Sequence, residues 1–128
     1  MNTTILFWAS RFIAAGIMLI GSLPKFTGGA AALADKLPGG VAAVYAIGVA
    51  ELAALILLLV PRTALIGAGL AFVLMLGATA SHIVGPVGFE GDFAMMFVLA
   101  LVALAASGSY LALAIKQRDP APTAIAAE

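Results

Sequence analysis

The sequence predicts an all-α integral membrane protein, in which four apolar helices cross a bilayer and pack as a four-helix transmembrane bundle. Apolar residues make up 64% of the 128 positions and charged residues 9%, against roughly 45–50% and about 25% in soluble domains. The mean hydropathy is +1.20, and a soluble fold would leave large apolar patches in water, which soluble monomers rarely tolerate. Four apolar runs reach the roughly 20 residues that a helix needs to cross a hydrocarbon core.

Helix-breaking residues set the limits of these runs. Pro24 ends the first run, Pro61 ends the second, and Gly85-Pro86 follow the third, because proline lacks the backbone N–H that a helix interior requires. The predicted spans are 4–23, 41–60, 63–82 and 93–115, within a single transmembrane domain of residues 1–120. Residues 121–128 are predicted to form a flexible C-terminal tail.

The connections predict which spans are neighbours. Residues 61–63 are so short a link that spans two and three must form a tight antiparallel hairpin. Between spans one and two, Thr27 is expected to cap a short interfacial helix over residues 28–37. Small residues spaced four apart favour close packing against another helix, and they are Ala42, Ala46, Ala50 and Ala54 on span two, with Gly67 and Ala71 on span three.

An even number of spans places both termini on one side of the membrane. The basic residues on that side are Arg62, Lys116 and Arg118, and the connections on the other side contain Lys25, Lys36, Glu90 and Asp92. Because cytoplasmic segments carry an excess of lysine and arginine, both termini are expected in the cytoplasm.

The composition also excludes several classes of site and partner. The chain has no cysteine, which removes disulfides, iron–sulfur clusters and cysteine-based zinc sites. A single histidine cannot build a multi-histidine metal centre within one chain. The formal net charge is zero, without a basic cluster, so no nucleic-acid partner is expected. We therefore expect neither a bound metal nor an intrinsic cofactor.

Three ionisable residues lie inside the predicted spans, where a central charge costs about 2.5–3.5 kcal/mol. At a rise of about 1.5 Å per residue, Arg11 and Glu51 lie at nearly the same depth, whereas His82 lies at the opposite mouth. We therefore predict an Arg11–Glu51 ion pair inside the bundle. Such a pair is either a structural link that fixes helix register or a binding site for a ligand headgroup or a proton. A third interpretation has Arg11 extending to the membrane interface.

The outer mouth contains the further polar candidates His82, Lys25, Glu90 and Asp92. His82 is expected either to contact the terminal carbonyls of its helix or to line a vestibule that binds a quinone-type carbonyl. Asp92 is expected to cap the fourth helix. Three methionines are expected to fill the core, with the lining of a ligand cavity as the alternative; they are Met75, Met95 and Met96.

A series of short motifs follows a fixed order along the chain. It runs through Arg11, then residues 21–28 (GSLPKFTG), 48–52 (GVAEL), 61–63 (PRT), 77–82 (GATASH) and 107–111 (SGSYL). This order and spacing resemble the DoxX and DoxX-like proteins. The resemblance implies a multi-pass protein of the bacterial inner membrane, with Arg11 and Glu51 as its polar core, and a link to quinone-dependent oxidoreduction or redox defence.

Two functions from different classes follow. The first is an accessory subunit of a membrane redox system that binds a lipid-soluble ligand, such as a quinone, near Arg11 and Glu51. Its expected partners are membrane lipid, a redox protein and a second copy of the chain. The alternative is an assembly factor, chaperone or scaffold without its own ligand, which docks a partner's transmembrane segment by small-residue packing. A channel or transporter is disfavoured because the small residues leave little room for water. Autonomous catalysis is disfavoured because no nucleophile–base pair or phosphate loop is present.

Overall fold

The computed structural model describes residues 2–28 and 30–118, and this part of the chain is helical without strands. Its helices are α1 (Thr3–Thr27), α2 (Ala30–Ala34), α3 (Gly40–Leu59), α4 (Ala64–Ile83) and α5 (Phe93–Arg118). All except α2 are long and apolar enough to cross a membrane. The predicted multi-pass helical architecture is therefore confirmed. The predicted tail, residues 121–128, lies outside the described residues.

The first helix is longer than the sequence predicts. Asn2 caps its start by accepting a hydrogen bond from the Thr4 N–H at 2.9 Å. The helix passes through Pro24 and ends where Gly28, at φ 123°, donates its N–H to the Pro24 carbonyl. Proline in the last turn removes a single helical hydrogen bond, so the helix continues for another turn. The predicted end at residue 23 is wrong, and Lys25 becomes a buried helix residue.

The connection between α1 and α3 contains a shorter helix than predicted. Residues 30–34 are helical, rather than 28–37. Thr27 does not cap this helix, because its hydroxyl donates instead to the Leu23 carbonyl within α1 at 2.9 Å. The helix packs mainly on α3 and to a lesser extent on α1. On its apolar side, Ala30 and Leu33 form a small cluster with Val44 of α3 and with Val87, which follows α4.

The four long helices form a closed ring. α1 and α4 each pack against both α3 and α5, and they touch only briefly across the centre. α3 and α5 make no contact in the described part of the chain. The main core fills the half of the bundle that contains the α3–α4 hairpin, and it includes Ala14, Met18, Leu58, Ala68 and Ala103. The cluster beneath α2 lies at the opposite end.

Small residues set the helix packing, although partly at positions other than those predicted. A Cβ on Gly67 would lie 2.6 Å from the Leu58 backbone nitrogen, so α3 and α4 approach closely at this glycine, as predicted. On α3 the predicted alanine stripe is wrong, because Ala42 and Ala46 are exposed. The buried face of α3 instead contains Val44, Gly48, Glu51, Ala54 and Leu58, since burying the Glu51 carboxylate fixes the rotation of this helix.

Candidate functional site

Two buried charges meet between α1 and α3. Lys25 Nζ lies 2.8 Å from Glu51 Oε2 and also donates to the Gly21 carbonyl at 2.7 Å. The residues are 6% and 4% exposed. Gly21 lies against the carboxylate, and a Cβ at this position would lie 3.4 Å from Glu51 Oε1, in van der Waals contact. The ion pair joins the last turns of α1 to the middle of α3.

The predicted Arg11–Glu51 ion pair is not formed. Arg11 Nε donates to the Leu58 carbonyl at 2.5 Å and its Nη2 donates to the Leu59 carbonyl at 2.9 Å. Arg11 and Glu51 would lie at the same depth only if the ends of α1 and α3 were level, but α1 extends about two turns beyond the end of α3. Arg11 therefore lies beside the last turn of α3, about 15 Å along α1 from Gly21.

Arg11 acts on the end of a helix, whose last carbonyls have no helical N–H partner. Its guanidinium lies 5.2 Å from the centre of the Trp8 ring and 5.9 Å from that of Phe12, within the range of a cation–π contact. The residue is 4% exposed, so its side chain is packed within the bundle. These contacts tie α1 to the C-terminal end of α3.

A cavity of about 340 Å³ lies between the two apolar clusters, at the α2 end of the bundle. The Lys25–Glu51 pair lines one wall, together with Gly21. Most other lining side chains are apolar and come from all five helices. The wall on α4 includes Val73 and Gly77. Val73 is 64% exposed and Gly77 is also exposed, so the cavity reaches the outer surface of the bundle beside α4.

His82 lines the cavity from the end of α4. Its Nδ1 lies 2.6 Å from the Gly88 carbonyl oxygen, so the bond goes to the loop that follows α4 rather than to the terminal carbonyls of its own helix. A carbonyl can only accept, so Nδ1 carries the hydrogen, and Nε2 of a neutral ring accepts. The rings of Phe89 and Phe97 pack beside the imidazole, with centroids 6.0 and 5.6 Å away.

The structure divides the predicted outer-mouth residues into two groups. His82 and Lys25 line the same cavity, whereas Glu90 and Asp92 are exposed and do not line it. Asp92 directly precedes α5, and its backbone carbonyl accepts the first helical hydrogen bond from the Met96 N–H at 3.1 Å, as an N-cap residue does. Its carboxylate makes no hydrogen bond among the described residues.

The methionines also differ in their positions. Met75 is buried and Met96 is half-buried, and both line the cavity. Met95 is 62% exposed and belongs neither to the core nor to the cavity. Residues 2–28 and 30–118 contain no group of three or more metal-ligating side chains placed to hold a metal ion.

The sequence interpretation included Lys25 among the outer-mouth candidates, but it missed the pairing of Lys25 with Glu51 and the glycines near the site. Lys25 was assigned to a loop because Pro24 precedes it, although the spacing of Gly21 and Lys25 by one helical turn was a signal that they share a face. Gly48 lies against α1, where a Cβ would be 2.8 Å from the Phe26 ring. Gly77 lines the cavity, and a Cβ there would meet no atom within 4 Å. A sequence does not show whether a glycine lies at a close helix contact, as Gly48 does, or beside open space, as Gly77 does.

Comparison of the chain with family models, curated proteins and solved structures finds no match. The site therefore rests on its own geometry: an apolar cavity with an ion pair on one wall and an imidazole on another.

Proposed function

We propose that this protein is an accessory membrane protein that holds a lipid-soluble ligand, such as a quinone, in the cavity between the Lys25–Glu51 pair and His82. The observation that carries the proposal is the cavity itself. Its volume of about 340 Å³ lies within the roughly 300–1,000 Å³ of small-molecule sites, which are mostly apolar with a few convergent polar groups. Buried ionisable residues in membrane helices commonly mark such sites.

The resemblance to DoxX proteins supplies the redox context of the proposal. It rests on the short motifs of the sequence, and the Lys25 and Glu51 of the ion pair both belong to them. The chain contributes the binding site, and a redox partner contributes the electron transfer. In this proposal the ligand site is centred on Glu51 and Lys25, and Arg11 serves the packing of α1 on α3.

The proposal places the protein in a bacterial inner membrane with both termini in the cytoplasm. Burial of Lys25 removes one basic residue from the connections on the opposite side. The termini side keeps the exposed basic residues Arg62, Lys116 and Arg118. The difference in exposed positive charge therefore supports the cytoplasmic assignment more than the sequence count does.

A second candidate function is an assembly factor or scaffold that docks another transmembrane helix, including one from a second copy of the chain. A shallow groove of about 230 Å³ runs between α1 and α5, and five of its eight lining residues are alanine or serine. Small residues allow close approach of helices in lipid. Crosslinking in native membranes from a cysteine placed at Ala105 tests this function, which predicts a discrete adduct.

The first test of the ligand proposal is mass spectrometry of organic extracts from protein purified in mild detergent. Gly77→Phe places a ring at the mouth of the cavity, where a Cβ meets no atom within 4 Å, so it should block ligand entry without disturbing the fold. Gly69→Phe is the matched control, because Gly69 lies on the same helix with equally open space but does not line the cavity. A stoichiometric quinone or lipid in wild type and Gly69→Phe, absent from Gly77→Phe, supports the proposal. Equal extracts from all three contradict it.

A further inference from the structure

The polar wall of the cavity carries no net charge of its own. Lys25 and Glu51 lie 2.8 Å apart and neutralise each other. The basic residues Lys36 and Arg62 and the acidic residues Glu90 and Asp92 do not line the cavity. A charged headgroup placed against this pair would therefore lack a counter-ion in a medium of low dielectric constant, where an unpaired charge is expensive.

The hydrogen-bonding capacity of the wall is also specific. Lys25 Nζ has three N–H donors, of which two are used by Gly21 and Glu51 Oε2. Glu51 Oε1 has no hydrogen bond to any described residue, and neither has His82 Nε2, whose partner nitrogen is bonded to the Gly88 carbonyl. The lining residues therefore keep one free donor, on Lys25, and free acceptors on Glu51 Oε1 and on the Nε2 of a neutral imidazole. The Ser81 hydroxyl also lines the cavity and donates to the Gly77 carbonyl, so it can only accept further.

We propose that the cavity selects an uncharged amphipathic ligand with a hydroxyl-bearing headgroup, such as the reduced, quinol form of a quinone. The hydroxyl donates to Glu51 Oε1 or His82 Nε2, and an oxygen of the headgroup accepts from Lys25 Nζ. The apolar chain of the ligand leaves the bundle beside Val73 and Gly77, where the cavity reaches the outer surface. This inference rests on the proposed function, because it concerns the ligand of the same cavity, and it adds the charge and hydrogen-bonding chemistry of that ligand.

The competing ligand class consists of anionic amphipaths, such as a lipid with a phosphate or sulfate headgroup. The headgroup of such an anion has only acceptor oxygens. Glu51 Oε1 and His82 Nε2 would therefore receive no hydrogen bond from it. The anion would also add one negative charge to a neutral wall. Both effects disfavour the anion. Removal of the Glu51 charge would reverse the charge effect, because Lys25 would then be an unpaired cation.

The test uses two photoreactive probes that share one alkyl chain with a diazirine and end in either a hydroxyl or a sulfate group. Wild-type protein in phosphatidylcholine nanodiscs is titrated with each probe, and labelling of the cavity-lining peptides is quantified by mass spectrometry. Labelling that Gly77→Phe removes and Gly69→Phe retains is counted as specific. Each apparent affinity is corrected for the amount of probe in the bilayer. We expect the hydroxyl probe to bind at least about tenfold more tightly than the sulfate probe.

A charge variant provides the second measurement. Glu51→Gln leaves the Lys25 ammonium without its counter-ion, so the sulfate probe should gain affinity and the preference should reverse. Equal or tighter binding of the sulfate probe to wild type overturns the inference while leaving a ligand site in place. Absence of specific labelling by either probe overturns the inference and the proposed function together. The wild-type comparison decides the inference even if Glu51→Gln does not fold.

Discussion

At the residue scale, the bundle satisfies its buried charges in two ways. Glu51 and Lys25 neutralise each other, whereas Arg11 binds uncharged carbonyls at the end of α3. The first arrangement carries no net charge, and the second offsets the negative end of a helix dipole with a cation. The consequences of removing each side chain therefore differ.

Removal of one partner from the Lys25–Glu51 pair should destabilise the protein more than removal of both. Glu51→Leu leaves a buried ammonium, and we expect the free energy of unfolding to fall by about 2.5–3.5 kcal/mol. The double variant Lys25→Met/Glu51→Leu should recover most of this loss, because apolar residues often replace a buried pair at little cost. Unfolding in mixed micelles, followed by circular dichroism, measures both values. Losses that simply add would contradict the pairing.

Arg11→Met should destabilise the protein without affecting the cavity. The variant loses two hydrogen bonds from a charged donor, each worth about 1.5–3 kcal/mol, but it leaves Lys25 and Glu51 in place. Arg11→Lys should retain part of the stability, because an ammonium supplies the charge without the guanidinium geometry. The same unfolding assay tests these values, with probe labelling of the cavity as the second readout. Lost labelling in a folded Arg11→Met protein would place Arg11 in the ligand site.

At the element scale, the α3–α4 hairpin holds one end of the bundle closed and the cavity opens at the other. Thr63 donates its hydroxyl to the Leu57 carbonyl at 3.0 Å, and Gly67 brings the backbones of α3 and α4 together. Farther from the hairpin, cavity-lining residues separate the same two helices. α3 and α4 thus take part both in the close contact and in the lining of the cavity.

Gly67→Ala should weaken the bundle, whereas Gly69→Ala should not. A Cβ on Gly67 would lie 2.6 Å from the Leu58 nitrogen and 2.8 Å from the Leu57 carbonyl carbon. Backbone atoms must shift to make room, and overpacking of this kind costs about 1–3 kcal/mol. At Gly69 the Cβ meets no atom within 4 Å, and alanine favours a helix by roughly 0.5–1 kcal/mol. Thermal unfolding of both variants in one detergent measures the difference, and equal melting temperatures would refute the close approach.

At the scale of the whole molecule, the exposed charges lie at the two ends of an apolar bundle. Arg62, Lys116 and Arg118 lie at the end that carries the N-terminus. The exposed charges at the other end are Asp35, Glu90 and Asp92, and Lys36 there is half-buried. This asymmetry determines the expected orientation. Since the chain contains no cysteine, single cysteines can report which end faces the cytoplasm.

Glu90→Cys and Gln117→Cys form a matched pair for this measurement, because both positions are exposed and lie at opposite ends of the bundle. In intact spheroplasts we expect a membrane-impermeant maleimide to label Glu90→Cys. Gln117→Cys should be labelled only after the membrane is permeabilised. The reverse pattern would place the termini outside the cytoplasm.

The sequence by itself determined the membrane architecture. Apolar runs of helical length permit no other solution in lipid, where each backbone group must find its hydrogen bond within the chain. The start of the fourth long helix at Phe93, and the tight link between α3 and α4, follow directly from those runs and their breakers. Local chemistry also identified Arg11, Glu51 and His82 as the ionisable residues to explain.

Only the tertiary structure decided which of these groups meet. A sequence does not show how far one helix is shifted along its axis relative to its neighbour. Because α1 extends beyond the end of α3, Arg11 lies far from Glu51. Because α1 continues through Pro24, Lys25 lies on the buried face of the helix, where it bonds the Gly21 carbonyl and the Glu51 carboxylate. The cavity likewise depends on side chains from five helices. Pairing of buried charges depends on the relative shift and rotation of whole helices, which long-range packing sets and local propensity does not.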